Sequence, residues 1–499
     1  MRKMTPLGWL ICGFFMLSPI LGKAQSTQEY EGKSEILTLE RALEIAYENS
    51  PTLRQSKISL EQSQNSLISQ RASLKSQFSL DLNPFSYSRN SSFQELNSEW
   101  NTFRSLSSSG TFTIRQPIKW TDGTISLNEN FGWQDEANQT LNRTSTSFFN
   151  RLTLSLEQPI FTYNRTKLEL RRLELALERS KLNYAMQQLN IEKTVTQAFY
   201  QVYQSYKNLL TAREELKNQQ QNYEVIKDKV EHNLVAKEEL FQAEVNLANS
   251  ESSLYDQETS YENTKDQFKQ TLGLPLDMDI SVLPNTEVVP VEVDLNQAVQ
   301  HALKQRMELR NMEIQIEEGT FSLIEAKATN EFKGSISAQV GLFSTGSNFS
   351  GAFRNPDDNQ DVGISLTIPI WDWGVRKATI RNAELSNEST EIDFEEEKKT
   401  IVIEVRQLCR NLPKLVKQIE INRQKIKNAE MTYEINLENY RNGTITGMDL
   451  QQYQTQLSSA KTEYTNSLIQ YKIELLNLKI QTLWDYQTNT SYLPVDLLK

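Results

Sequence analysis

The chain of 499 residues has only two histidines and two cysteines. His232 and His301 sit far apart in polar helical stretches, so no histidine-built metal site or catalytic constellation can form from them. Cys12 lies in the only long apolar run. Cys409 is therefore left alone in the remainder, which excludes an intrachain disulfide there. Its surroundings, VRQLCRNL, read as helix, and a packing role is expected for it. There is no G-x-S-x-G, no H-E-x-x-H and no phosphate loop, so neither an enzyme nor a cofactor is expected. Lysine and arginine (53) are outnumbered by acids (64) and form no basic run, which argues against nucleic acid as a partner. The nine methionines form no cluster, against a soft-metal specialist. Glycine and proline are sparse where it matters. No glycine falls between Gly132 and Gly273, and no proline between Pro159 and Pro275.

The apolar run spans residues 5–22. It follows Arg2 and Lys3 and precedes Gly22 and Ala24, the pattern of a signal peptide (1–24) cleaved after Ala24. Cys12 follows Ile11 rather than a small residue, so lipidation is not expected. Removing this segment takes away three cations and no acid, moving the net charge from -11 to -14.

What remains is one unit written twice. At an offset of 256, Leu39, Ala42, Ala46, Leu53, Arg54, Ile58 and Glu61 match Leu295, Ala298, Ala302, Leu309, Arg310, Ile314 and Glu317. At an offset of 210, Pro159 and Ile160 match Pro369 and Ile370, and Tyr223, Leu240, Leu247 and Tyr261 match Tyr433, Leu450, Leu457 and Tyr471. The difference is 46 extra residues in the first copy, between Glu61 and Ser155. The expected division is a first repeat over 25–272, a linker over 273–293, a second repeat over 294–486 and an irregular tail over 487–499.

Each copy opens with helices, at about 39–49 and 51–77, then 295–305 and 307–332. Segments of period-two alternation follow, within 78–161 and 334–371. Ile336, Ala338, Val340 and Leu342 alternate with polar residues and Gly341, as do Val362, Ile364 and Leu366. Asp122-Gly123 marks an additional hairpin in the excess. The acidic stretch 357–361 (DDNQD) is expected as a solvated loop rather than a calcium site. Runs of 70 residues, 163–232 and 373–442, then read as helices roughly 105 Å long at ~1.5 Å per residue. Pro413 should kink the second. Leu168, Leu175, Leu182 and Leu189 form one sevenfold stripe and Leu170, Leu177, Tyr184, Ile191 and Ala198 another, as in a coiled coil with neighbours on two sides.

A chain with no second apolar span can cross a bilayer only as a closed barrel. Four strand candidates, or six with the extra hairpin, are too few for one chain, so several chains must close it. Whether the extra hairpin adds strands or sits outside as a cap stays open at this level.

In this order and spacing the chain resembles the TolC-type outer-membrane efflux proteins, over about residues 37–486. The junction SLTIPIWDWGVRKA (365–378) resembles the family's turn; its counterpart SLEQPIFTYNRTKL lacks the Gly. Tyr440-Arg441-Asn442-Gly443-Thr444 through Asp449-Leu450 resembles the family's helix-hairpin tip. The resemblance implies an α+β membrane protein, a tandem repeat of long coiled-coil helix hairpins with β-hairpins that form a transmembrane β-barrel on trimerisation. It implies a homotrimer in outer-membrane lipid, with the helices in the periplasm. It also implies a periplasmic adaptor (membrane fusion protein) and an inner-membrane pump as partners. The expected function is the exit duct of a tripartite efflux or type I secretion system. The rival is a periplasmic adaptor or coiled-coil scaffold, which would carry one helix hairpin rather than two.

The tips are the candidate site. Gly443 and its counterpart Asn233 permit the turns; Thr444 and Leu234 beside them are candidates for adaptor docking. Glu239 and Asp449 occupy matching places just beyond the turns. One inward carboxylate per subunit would make an acidic ring favouring cations. The resemblance implies a gate there with Tyr440 and Asp228. The family's gate Arg is Ile445 here and a second acid is Gln452, so Arg441 is the candidate substitute. The competing reading makes Glu239 and Asp449 first-turn acids that stabilise helix N-termini.

Overall fold

A computed structural model describes residues 35–94, 99–138 and 143–493. The signal peptide over 1–24 lies outside the described residues. The chain runs β1 (Glu35–Leu37), α1 (Leu39–Asn49), α2 (Pro51–Ser73), then four strands, β2 (Gln77–Gln94), β3 (Glu99–Ile118), β4 (Gly123–Asn138) and β5 (Arg143–Ile160). The long α3 (Arg165–Glu231) and α4 (Lys237–Leu272) follow, then β6 (Ile280–Val282). The second copy has α5 (Leu295–Gln305), α6 (Met307–Lys327), β7 (Lys333–Gly346), β8 (Asp357–Thr367), α7 (Val375–Arg441) and α8 (Gly447–Thr482), closed by β9 (Trp484–Asp485) and β10 (Thr490–Ser491).

The repeat is visible in the caps. Thr38 accepts from the Arg41 N–H at the start of α1, and Asp294 accepts from the Gln297 N–H at the start of α5, 256 residues on. The missing glycine at the first long-helix junction is replaced by chemistry. Gly374 enters α7 at φ 86°, whereas Asn164 caps α3 through its side chain, and the Asp122 carboxylate accepts from the Arg165 and Thr166 N–H groups.

The heptad stripes form the core. Leu175, Leu182 and Leu189 of α3 pack with Met307 and Ile314 of α6. Ion pairs tie the two copies along the same seam: Arg171–Glu317 at 2.7 Å, Arg179–Glu318 at 2.6 Å and Arg310–Glu178 at 2.7 Å. These side chains are about a third or more exposed, so solvent screening leaves each a modest contribution. Among the described residues no helix is long and apolar enough to cross a membrane.

All six long strands lie in one antiparallel sheet, ordered β2-β3-β4-β5-β7-β8. The extra hairpin is thus inside the sheet, not a cap beyond it. Two expectations need correction. Residues 357–361 are not a loop: Asp357 pairs with Phe343 and Asp361 with Gln339, and the turn is 347–356 instead. Their side chains stay exposed, so the ladder forms without burying charge. The tail is not irregular through 493. Thr490 pairs with Asp485, and Tyr492 donates a hydrogen bond to Glu192. The linker is also structured. β6 pairs in parallel with β1, and Tyr471 donates to the Val289 carbonyl at 2.6 Å. As for Pro413, α7 continues through it as one helix, with Leu412 and Leu415 buried on either side.

Candidate functional site: the paired hairpin tips

The two helix hairpins turn by the same device. Asn233 stands at φ 56° and Gly443 at φ 76°, the left-handed region that ends a helix. The Leu234 N–H donates to the Lys229 carbonyl at 2.8 Å, and the Thr444 N–H to the Asn439 carbonyl at 2.9 Å. Each bond is the other shifted by 210 residues.

The next turn differs between copies. Thr446 and Asp449 form a capping box. The Asp449 carboxylate accepts from the Thr446 N–H at 3.1 Å and hydroxyl at 2.8 Å, while the Thr446 hydroxyl accepts from the Asp449 N–H. These bonds hold the Asp449 pKa below the usual carboxylate range, the Thr446 hydroxyl first among the causes. In the first copy Ala236 stands where Thr446 would be, and α4 has no side-chain cap. Glu239 is therefore free of that duty. It lies half-buried beside Tyr440, in a cleft also lined by Asn222, Gln242 and Gly447.

Tyr440 is the centre of the tip. It is 3% exposed, and its hydroxyl is buried without a hydrogen-bond partner. Burial, and then the Glu239 charge, push its pKa up to about 12. Lys229 of the other hairpin donates to the Tyr440 carbonyl at 2.8 Å, and its ammonium lies 4.8 Å from the ring centroid. An apolar cluster zips the hairpins beneath: Ile226, Ala243, Tyr433, Tyr440, Leu450 and Leu457, with Ile445 packed against it.

The structure thus brings Glu239, Tyr440 and Asp449's helix together. It does not bring in the other two expected gate residues. The Asp228 side chain is 73% exposed and reaches its own His232, at 3.5 Å. Arg441 is exposed and makes no ion pair among the described residues. Within one chain Ile445, where the resemblance implied an arginine, packs against the apolar cluster, and the cation beside Tyr440 is Lys229. Lys229 carried no sequence signal: it is one lysine in a polar helical run, and its repeat counterpart is Asn439.

At the opposite end, one face of the sheet is apolar and solvent-exposed in one chain while the other is polar. An amphipathic open sheet carried on helices of 67 and 36 residues defines a subunit of an outer-membrane channel. The chain belongs to the outer membrane efflux protein family, whose profile matches residues 124–274 and 298–480. It is 26% identical over 152 residues to the outer membrane protein TolC of Escherichia coli (strain K12), a match covering 29% of this chain and 31% of that protein. The fold is that of the Campylobacter jejuni CmeC outer membrane channel (TM-score 0.68, 15% identity, 95% of this chain and 92% of that one). It is also that of the Neisseria gonorrhoeae MtrE outer membrane channel (TM-score 0.64, 15% identity, 89% and 88%). The protein is accordingly an outer-membrane protein with its helical part in the periplasm.

Proposed function

We propose that this chain is the exit duct of a tripartite efflux or type I secretion system. Three copies close the barrel, and their helices continue it across the periplasm. The carrying observation is the sheet. Its edge strands β2 and β8 have no outer ladder partner among the described residues, and unpaired backbone cannot face lipid. The hairpin tips are the gate, with Tyr440 at its centre and Asp228 and Arg441 exposed toward neighbouring copies. A periplasmic adaptor docks around Asn233, Leu234, Gly443 and Thr444, and an inner-membrane pump chooses the substrate.

Two measurements test this. Photocrosslinkers at Thr444 and Leu234 should capture an adaptor in cells, and the purified protein should form trimers that conduct in planar bilayers. A monomer that does not conduct would overturn the duct. Glu239 and Asp449 make the acidic ring. Replacing both by alanine should lower cation selectivity, and unchanged selectivity would remove the ring.

A further inference from the structure

We infer that the extra hairpin, β3–β4, is part of the membrane wall. Each chain then contributes six strands, and the barrel closes at eighteen. The count of three chains rests on the duct reading above.

The first support is the side-chain pattern. Residues paired across an antiparallel ladder share a face. Starting from Phe78 of β2, the ladder runs through Ile114, Leu127, Leu154 and Val340 to Gln360. The adjacent row on the opposite face runs Ser79, Thr113, Asn128, Thr153, Gly341, Asn359. The inserted strands obey the same division as the repeat strands. A cap in water would have no reason to place Ile114, Ile125 and Leu127 on the face that carries Leu154, Leu156, Val362 and Ile364. Glu129 and Asp358, in one row of the ladder, interrupt the apolar face. Beyond it, toward the 347–356 turn, the face becomes aromatic, with Phe131 stacked on Phe353 and edge-on to Phe349. At the helix end, Trp120 of the β3–β4 turn is 89% exposed, as is Trp373 at the β8–α7 junction. Aromatic residues at both rims are the girdle of a membrane barrel.

The second support is anchoring. The β3–β4 turn is fastened to the start of α3. Asp122 caps that helix, and the Asn164 amide donates to the Lys119 and Trp120 carbonyls at 2.9 and 3.0 Å.

The third support is girth. Four helices meet the sheet: α2, α3, α6 and α7, packed in that order. At ~9 Å between axes they span roughly 36 Å of circumference per chain. Six strands at ~4.8 Å spacing and about 40° tilt span roughly 38 Å; four would span only about 25 Å. With six strands the barrel matches the tunnel beneath it. Three copies give a backbone diameter of roughly 36 Å against about 24 Å for twelve strands. The passage then has no narrowing at the membrane, and suits bulky polar cargo.

The test uses single cysteines in a Cys409→Ser background, reconstituted as full-length protein in liposomes. Leu127→Cys and Asn128→Cys are labelled with an environment-sensitive fluorophore. Brominated lipid should quench the label at 127 and not at 128, and aqueous iodide the reverse. Iodide quenching at both positions would place the hairpin in water and overturn the inference. Averaged end-on images of the trimer in nanodiscs should show a barrel near 36 Å that shrinks toward 24 Å when residues 99–138 are deleted. A narrow wild-type ring would also overturn it. A trimer with a water-exposed hairpin rejects only the eighteen strands. A lipid-quenched hairpin in a particle that is not a trimer rejects the duct reading instead.

Discussion

The Lys229 ammonium of one hairpin lies 2.8 Å from the Tyr440 carbonyl of the other and 4.8 Å from the centre of the same residue's ring. It crosses from α3 to α7 at the tip, the place of the proposed gate. A charged hydrogen bond with a cation–π contact, half-buried, contributes on the order of 2 kcal/mol. Lys229→Met should therefore shift the closed–open balance by roughly 30-fold and raise single-channel open probability. Tyr440→Phe keeps the carbonyl and ring and removes only a buried hydroxyl without a partner, so at neutral pH it should leave conductance unchanged. No change in open probability for Lys229→Met would show that the ammonium is not the tie.

The Asp449 capping box gives α8 a pH-dependent start. Its folded pKa is lowered by the Thr446 bonds. The stabilisation is thus complete above the ordinary carboxylate range and is lost as pH falls through the lowered value. Tip amides should stay protected from hydrogen exchange at pH 5 and lose protection only in strong acid. Thr446→Ala should cost about 1 kcal/mol of local stability at neutral pH. Protection lost already near pH 6 would contradict the assignment.

Tyr440 sets the alkaline limit of the same tip. Its raised pKa means that its contribution is full below the usual tyrosine value near 10 and lost as pH rises through about 12. Conductance should remain low at pH 9 and rise between about 10 and 12. Tyr440→Phe should abolish that rise.

Tyr471 binds the linker to α8. Its ring is 1% exposed, and its hydroxyl donates to Val289. Tyr471→Phe should lower unfolding free energy by about 1 kcal/mol, measured by denaturant titration in detergent. A loss below ~0.3 kcal/mol would mean that the linker is held by Val288 and Val291 packing alone.

Cys409 is half-buried between two apolar clusters, and burial pushes its thiol pKa up. Maleimide should label it slowly in the folded protein and quickly in denaturant. Cys409→Ser should cost no more than about 1–2 kcal/mol, consistent with packing rather than chemistry.

Some of this was legible residue by residue. The Tyr433-to-Tyr223 and Leu450-to-Leu240 matches located the two tips, and the turn chemistry of Asn233 and Gly443 followed from which residues tolerate a left-handed backbone. Alternation in Ile336–Leu342 gave strands because side chains in a strand point to opposite faces in turn. The misses also have physical causes. DDNQD looks like a loop because acids are poor strand formers, but here both of its faces are exposed and β7 supplies the ladder. The β1–β6 pairing joins residues 245 positions apart, as in Glu35 with Ile280, and three-residue strands carry no period.

The amino-acid sequence by itself determined the repeat, the long helices and the two-faced strands, because periodicity and caps act within a few residues. The tertiary structure decided that the extra hairpin joins the same sheet. It also decided that a lysine in the first copy, not an arginine in the second, holds Tyr440. Both depend on which distant segments meet, and that is set by register and packing across the whole chain rather than by any local preference.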